Sequence, residues 1–226
     1  MAITEVGCMG VKPDLNIMDQ TTAESEILIG VWKTVTTKPG GPHRVYWGLE
    51  TEDPSKLWAF FDWDSVEQHE QFAQAHGVEA QEDMPKVLTP GEFTKHVTMK
   101  PSSDVLQSPL TEVILLYLPR DLPQHRRDAT AEQLQDVIEK IFGTCTDTEH
   151  LAHGWGLQND FPIRGKEGQV GCVLMGFIGW SSADAQSRFQ KTDAYGEAMA
   201  LMRDIKEVVT FYKFSMRCLR LERETK

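Results

Sequence analysis

The chain has 226 residues, of which 40% are hydrophobic, and it carries a formal net charge of −11. This acidity argues against binding to nucleic acid or to an anionic membrane, since both need a positively charged surface. No apolar run approaches the roughly 18 residues of a membrane-spanning helix, and the first residues lack the features of a secretory signal. The sequence therefore predicts a soluble, cytoplasmic protein without nucleic-acid or membrane partners.

Four short sequence patterns occur twice, in the same order and roughly 110 residues apart, which is the length of a small domain. The first copies begin at Thr4, Trp47, Trp63 and Phe93, and the second copies begin at Thr111, Trp155, Trp180 and Phe211. A stretch rich in serine and proline separates the two sets. We therefore predict a first domain over residues 1–100, a linker over 101–109 and a second domain over 110–226.

In the first copy, the apolar pattern predicts strands over residues 4–12, 45–50, 57–63 and 93–99. A helix precedes the second strand, with apolar residues at helical spacing from Leu28 to Val35. A further helix begins at Ser65, where Gln68 occupies the reciprocal position of a capping box.

The second copy predicts strands over residues 112–118, 154–158, 172–180 and 210–217. One helix runs past Leu134, and another is capped by Ser181 or Ser182, with one apolar helical stripe continuing through Tyr195 to Ile205. Each copy is thus a β-α-β-β-α-β, ferredoxin-like unit. Helices cover only one face of each sheet, so we predict an α+β fold in which two tandem repeats pack sheet to sheet as a pseudo-dimeric barrel.

The segment from Trp63 to Phe72 combines a strand-end tryptophan, a capped helix start, His69 and a phenylalanine. It resembles the W-x-S-x-E-x-H-x-x-F signature of the dimeric α+β barrel superfamily, which includes antibiotic-biosynthesis-monooxygenase-type, stress-responsive and EthD-like domains. The second copy keeps this frame from Trp180 onward but has Gln186 in the place of His69. The tandem form is similar to fungal proteins of secondary metabolism. The resemblance implies a ligand cleft between helices and sheet in each half, and no cofactor in many relatives, although some bind heme.

Two histidines are the leading catalytic candidates. His69 and His76 lie seven residues apart on one helix face, which directs both imidazoles toward the sheet. Histidine transfers protons near neutral pH, and the second copy has Gln186 and Asp193 at these places. Asp62 is a carboxylate in an apolar strand, so it is either paired at the strand end or available as an acid or base. We predict an acid/base pair of histidines assisted by Asp62. The alternatives are that His69 only holds the frame and that His76 lies on a loop.

Aromatic side chains in the first sheet suit a flat or polycyclic ligand, although core packing explains them equally well. The predicted substrate-binding residues are Trp47, Trp58, Tyr46, Phe72, His153 and Tyr195. His150 and His153 have metal-ligand spacing only if they lie on a helix, and no third ligand is evident, so we predict no metal. The four cysteines are widely separated, which favours reduced thiols. Motifs for nucleotide binding or serine hydrolysis are absent from the sequence.

These features favour a cofactor-independent enzyme of the cyclase, isomerase or lyase type. We predict proton-transfer chemistry (cyclisation, isomerisation or elimination) on an apolar small-molecule intermediate of polyketide or terpenoid biosynthesis. One alternative is a cofactor-free monooxygenase that acts on a phenolic intermediate. Another is a non-catalytic protein of small-molecule binding or stress response. The sequence leaves open whether the whole chain forms a homodimer.

Overall fold

The computed structural model describes residues 2–223 of the chain. These residues form two compact units, one made of residues 2–96 and 219–223 and the other of Val97–Cys218. The first unit therefore includes the last strand of the chain, whereas the sequence prediction counts that stretch with the second half.

Ten strands and six α-helices follow one another along the described residues. The first stretch contains β1 (Ile3–Val11), α1 (Ala23–Thr37), β2 (Arg44–Leu49), β3 (Lys56–Trp63), α2 (Val66–Gln81), α3 (Met84–Val87) and β4 (Leu88–Val97). The second contains β5 (Leu110–Leu118), α4 (Gln124–Ile141), β6 (Thr148–Trp155), β7 (Phe161–Pro162), β8 (Val170–Trp180), α5 (Ala183–Phe189), α6 (Asp193–Arg203) and β9 (Thr210–Met216). The last strand is β10 (Leu219–Glu222).

The strand order of the first sheet is β10-β2-β3-β1-β4, and that of the second is β6-β8-β5-β9, with the short β7 paired to β8. The central pairs β1–β3 and β2–β3 are antiparallel, as are β5–β8 and β6–β8. Leaving β7 and β10 aside, both sheets place their second, third, first and fourth strands side by side in that order. The fold is thus α+β with two antiparallel sheets, which is compatible with ferredoxin-like units.

Side chains alternate between the two faces of β3. Leu57, Phe61 and Trp63 belong to the core that α1 and α2 cover. Trp58 and Phe60 point the other way and are buried as well. An apolar strand buried on both faces reads as a continuous hydrophobic run, which explains the sequence of β3.

The start of α2 confirms the predicted cap. The Ser65 hydroxyl accepts a hydrogen bond of 3.2 Å from the backbone N–H of Gln68. The Gln68 side-chain oxygen accepts one of 2.7 Å from the backbone N–H of Asp64. These two bonds satisfy donors that a helix start leaves without partners, and they fix the direction in which the first turn presents His69.

Three predicted elements differ from the structure. The stripe through Tyr195 does not continue the helix that Ser182 caps, because α5 ends at Phe189 and Thr192 caps a new helix, α6. The strand predicted over 93–99 begins at Leu88 and includes Pro90, which β4 tolerates because it is an edge strand with no neighbour on one side. The strand predicted over 154–158 ends at Trp155 and begins earlier, so the histidines of β6 are not on a helix.

Among residues 2–223, every helix is too short or too polar to cross a membrane.

Candidate active site

Two histidines are in direct contact in the first unit. The Nδ1 atom of His69, on α2, lies 2.8 Å from Nε2 of His96, on β4. At this distance one imidazole donates its N–H and the other accepts, so a proton can move between the rings. His96 is 6% exposed and the His69 side chain is 19% exposed, which leaves the pair a limited opening to solvent.

A buried glutamate lies behind this pair. Nε2 of His69 is 3.4 Å from Oε2 of Glu5, on β1. The same carboxylate oxygen accepts a hydrogen bond of 2.8 Å from the indole N–H of Trp63, at the end of β3. The Trp63 ring also packs against His69, with centroids 4.9 Å apart. We call Glu5, Trp63, His69 and His96 the histidine cluster.

Burial shifts the pKa values of the titratable members of the histidine cluster toward their neutral forms. Burial raises the pKa of Glu5 from 4.5 to about 7, and the hydrogen bond from Trp63 opposes this shift. Burial, together with the positive charge that His96 would carry, lowers the pKa of His69 to about 4. The pKa of His96 is also lowered, mainly by burial. At neutral pH both imidazoles are therefore uncharged and can accept a proton.

The second unit places a different set of side chains at the equivalent position. Glu112 on β5 is fully buried and accepts hydrogen bonds from Tyr195 at 2.6 Å and from Gln186 at 3.2 Å. Lys213 forms an ion pair of 3.3 Å with the same carboxylate. Gln186 also donates a bond of 2.8 Å to Ser215. We call these five residues the glutamate cluster.

The two clusters also differ in their tryptophans. Trp63 ends β3 and Trp180 ends β8, each two residues before the serine that caps the following helix. Trp63 donates to Glu5, whereas the buried N–H of Trp180 has no partner within the described part of the chain. The glutamate cluster gives its carboxylate three other donors instead, one of them a cation.

Of the three predicted catalytic residues, only His69 belongs to the histidine cluster. His76 is partly buried and contacts the Phe72 ring, with centroids 5.3 Å apart. Asp62 pairs with Arg44 at 2.9 Å and accepts a hydrogen bond from Thr4 at 3.0 Å. The paired arrangement at a strand end is the alternative that the sequence left open for Asp62.

The aromatic residues predicted to bind substrate lie on two faces of the first sheet. Trp47 is in the helix-covered core beside Trp32, with ring centroids 6.3 Å apart. Trp58 is on the opposite face and donates a 2.6 Å hydrogen bond to the buried Glu50. Tyr46 is fully buried and has the Arg44 guanidinium over its ring. These side chains cannot form one wall.

Phe72 is the predicted binding residue nearest the histidine cluster. Its ring lies 5.4 Å from the Trp63 ring, measured between centroids, and it is 6% exposed. Its contact on one side with Trp63 and on the other with His76 makes it an apolar neighbour of the cluster.

The two predicted binding residues of the second unit lie apart from the first cluster. Tyr195 is part of the glutamate cluster, and burial followed by the Glu112 charge raises its pKa. His153 borders a cavity of about 630 Å³ between α4 and β6, where burial and the charge of Lys100 lower its pKa. Exposed carboxylates of α4, including Glu132 and Glu139, form the rim of this cavity.

Two further cavities are smaller, and neither is lined by a member of either cluster. One of about 510 Å³ lies between α4 and α6, and one of about 280 Å³ lies between α1 and the end of α2. No group of three or more His, Cys, Asp or Glu side chains within residues 2–223 is arranged to hold a metal ion.

Sequence reasoning missed two members of the histidine cluster. His96 lies on β4, and its contact with α2 depends on strand order, which the sequence pattern does not specify. Glu5 carried a usable signal, because a glutamate recurs as Glu112 in the repeated strand, inside an otherwise apolar run. A carboxylate at the same core position in both copies points to a specific partner in each.

No protein-family model and no curated protein sequence matches the chain. Solved structures share its fold. An anthrone oxidase-like protein is 12% identical, with a TM-score of 0.65, covering 99% of this chain and 94% of that one. A proposed monooxygenase from Fusobacterium nucleatum is 11% identical, with a TM-score of 0.61 and coverage of 99% and 94%. One from Lactobacillus acidophilus is 11% identical, with a TM-score of 0.59 and coverage of 98% and 96%. At these identities the likeness concerns the fold alone.

Proposed function

We propose that the protein is an enzyme whose reaction begins when the pair of His69 and His96 removes a proton from its substrate. The observation that carries the proposal is the 2.8 Å contact between the buried imidazole of His96 and the half-buried imidazole of His69. Both are neutral at physiological pH, so each ring can accept a proton and pass it to the other. A purely structural role does not require two histidines in contact. In the second unit an amide, Gln186, takes the place of His69, and it bonds to Ser215 rather than to a histidine.

The weak basicity of the pair restricts the substrate class. Burial lowers the pKa of His69 to about 4, so the conjugate acid is strong and the base is weak. Such a base removes a proton efficiently only from a substrate whose anion is well delocalised. Phenols and enolisable aromatic ketones have this property, and their apolar rings suit a site beside Trp63 and Phe72.

Oxygenation is the reaction we favour after this step. The names of the similar structures, an anthrone oxidase-like protein and two proposed monooxygenases, support it. Molecular oxygen takes up the electron pair of a delocalised carbanion to give a peroxide anion, and a proton converts this anion to a hydroperoxide. Loss of water from the hydroperoxide then leaves a ketone, so that a methylene compound and O₂ yield a carbonyl compound and water. This sequence needs no cofactor, because the substrate anion itself supplies the electrons.

Anthrone is a suitable probe, since its central methylene becomes the second carbonyl of anthraquinone. We expect the purified protein to accelerate oxygen uptake by anthrone above the spontaneous rate. With ¹⁸O₂, one labelled atom enters the quinone and the other leaves as water. Absence of acceleration over a buffer control, for anthrone and for hydroxylated anthrones, would refute the oxygenase proposal.

The same probe without oxygen separates the proton step from oxygenation. In D₂O under argon, the protein should speed exchange of the anthrone methylene protons for deuterium. Catalysed exchange without catalysed oxygen uptake would favour the oxygen-independent reactions predicted from the sequence: cyclisation, isomerisation or elimination. Binding without exchange would instead favour a non-catalytic protein.

The proposal does not depend on the biological pathway or on how the two units pack. A role in natural-product biosynthesis and the sheet-to-sheet barrel both stay predictions from the sequence. The catalytic roles predicted for His76 and Asp62 and the substrate contacts predicted for the aromatic residues also stay predictions.

A further inference from the structure

Each unit buries one glutamate at the same place in its sheet. Glu5 lies on β1 and Glu112 on β5, each on the central strand beside the one that ends in tryptophan. Glu5 contacts His69, which lies four residues after Ser65, the cap of α2. Glu112 contacts Gln186, which lies four residues after Ser182, the cap of α5. The frame is shared, so a difference in behaviour must come from the partners.

Three donors, one of them a cation, surround the carboxylate of Glu112. Tyr195, Gln186 and the ammonium group of Lys213 all approach its two oxygens within 3.3 Å. An ionised carboxylate accepts about four hydrogen bonds, and three donors that include a cation compensate its buried charge. Protonation would remove that compensation.

The partners of Glu5 leave it able to take a proton. Trp63 donates one neutral N–H to Oε2, and the other contact of this oxygen is the Nε2 atom of His69. The groups that face Glu5 are therefore an indole on β3 and an uncharged imidazole on α2. Behind them lies His96 on β4, which Glu70 and Lys95 influence with opposite charges. Among residues 2–223, none of the groups in contact with Glu5 carries a fixed positive charge.

We infer that Glu5 is a positioning residue that stores the substrate proton after the histidine pair has removed it. The inference rests on the proposed function. The substrate gives its proton to the pair, and the resulting imidazolium passes a proton from Nε2 of His69 to Oε2 of Glu5. The pair returns to its neutral form, and the carboxylate becomes a carboxylic acid. On return, the stored proton converts the peroxide anion to the hydroperoxide. The histidine pair then removes the second proton from the same carbon, hydroxide leaves as the carbonyl forms, and this proton joins the hydroxide to give water.

The energetics of this relay are favourable near neutral pH. Burial raises the pKa of Glu5 to about 7, so the carboxylate gains and loses a proton there at little free-energy cost. An imidazolium with a lowered pKa gives up its proton readily to such a group. The glutamate cluster contains no imidazole that could deliver a proton to its carboxylate.

The N–H signal of Trp63 reports the protonation of Glu5 without any substrate. In a ¹H–¹⁵N spectrum of the full chain, the indole signal of Trp63 should shift with a midpoint at about pH 7, because its acceptor changes from carboxylate to carboxylic acid. Trp180 in the same sample is the matched control, since its N–H has no partner in the described chain and should not shift. Assignments come from Trp63→Phe and Trp180→Phe.

Two variants identify the titrating group. Glu5→Gln should abolish the Trp63 titration, whereas His69→Gln should move its midpoint but keep it. If Glu5→Gln does not fold, the infrared carbonyl band of a protonated carboxylic acid, present in the wild type at pH 6 and lost by pH 9, provides the identification. A Trp63 signal that is constant between pH 5 and pH 9, or a titration that survives in folded Glu5→Gln, would overturn the inference.

Turnover separates the relay from the proposed function. With anthrone, Glu5→Gln should lower kcat by about 10²-fold with little change in KM and should remove the pH dependence near 7, and Glu5→Asp should partly restore both. A titrating Trp63 in a protein that never turns anthrone over would refute the proposed function while the assignment of Glu5 as the titrating group stands. Turnover of anthrone by a protein whose Trp63 signal does not titrate would refute the assignment of Glu5, while the proposed function stands.

Discussion

At the scale of single residues, the two units use the same geometry for different chemistry. His69 bridges Glu5 and His96, and Gln186 bridges Glu112 and Ser215. Both side chains join a first-strand glutamate to a last-strand side chain. Only the imidazole can gain and lose a proton, since an amide does not titrate.

Glu5→Gln should change how stability depends on pH. Because the folded pKa of about 7 lies above the ordinary 4.5, the wild type loses stability as pH rises from about 4.5 to 7. The loss reaches about 3 kcal/mol at most, and the variant lacks it. Urea denaturation should therefore show Glu5→Gln gaining relative to the wild type between pH 5 and pH 8. His69 contributes in the opposite direction, gaining stability between about pH 4 and 6.5, but it does so in both proteins.

The control for this experiment is Glu26→Gln, at an exposed position. Its free energy of unfolding should change with pH as that of the wild type does between pH 5 and pH 8. A constant difference between Glu5→Gln and the wild type across the range would show that Glu5 is ionised throughout.

Glu112→Gln should behave differently from Glu5→Gln. It removes the charge that Tyr195, Gln186 and Lys213 surround, and hydrogen bonds to a charged group contribute about 1.5–3 kcal/mol. At pH 8 we expect Glu112→Gln to lower the free energy of unfolding by about 2 kcal/mol. At the same pH, Glu5→Gln should leave the free energy of unfolding unchanged or raise it. Equal losses in the two variants would contradict the distinction between the clusters.

At the scale of elements, helix starts decide where the cluster side chains point. Ser65 and Ser182 cap α2 and α5 in the same way, by accepting a hydrogen bond from the backbone N–H three residues on. His69 and Gln186 follow one residue later in each case. The caps therefore set the contact of each side chain with its sheet.

Ser65→Ala and Ser182→Ala form a matched pair of cap deletions. Each should lower the free energy of unfolding by about 1 kcal/mol, because a donor at the helix start loses its partner. Only Ser65→Ala should also lower turnover, since α2 carries His69, the histidine proposed to be catalytic, and α5 carries Gln186 instead. The measurements are kcat and the midpoint of urea denaturation for each variant. Equal losses of kcat in both variants would indicate that lowered stability alone reduces activity.

Helical periodicity and capping are local properties, so the sequence could predict that α2 begins at Ser65 and turns His69 inward. The contact of His69 with His96 could not be predicted in this way, because it depends on pairing between strands distant in sequence. The break between α5 and α6 was missed because Tyr195 continues the apolar stripe, while the new cap at Thr192 interrupts the backbone. The ion pair of Asp62 with Arg44 likewise depends on strand pairing, since Arg44 lies opposite it on the adjacent strand.

At the scale of the whole molecule, the chain returns to its first sheet. Strand β10 pairs with β2, with Leu219 opposite Trp47 and Leu221 opposite Val45. Both leucines pack against the core of the first unit. Strand β10 therefore covers an edge of the first sheet that β2 would otherwise expose. The internal sequence repeat did not predict this strand, because the second sheet, as described, has no strand at the corresponding edge.

Leu221→Asp should destabilise the first unit selectively. A carboxylate placed against the core costs about 1–3 kcal/mol, and hydrogen exchange should speed up at the amides of β2 and β3 but not at those of β5 and β8. Arg220→Asp, on the neighbouring exposed position, is the control and should leave exchange unchanged. Equal acceleration in both sheets would show that the two units unfold together.

The most direct test of the central claim compares His69→Gln with Gln186→His at equivalent positions of the two units. His69→Gln should fold, because glutamine already makes the corresponding two contacts in the second unit. Its kcat/KM for anthrone oxidation should fall by about 10²–10⁴-fold, the usual contribution of general acid/base catalysis. Gln186→His should keep the wild-type kcat/KM. A folded His69→Gln with unchanged kcat/KM would show that the proton is not removed at the histidine cluster.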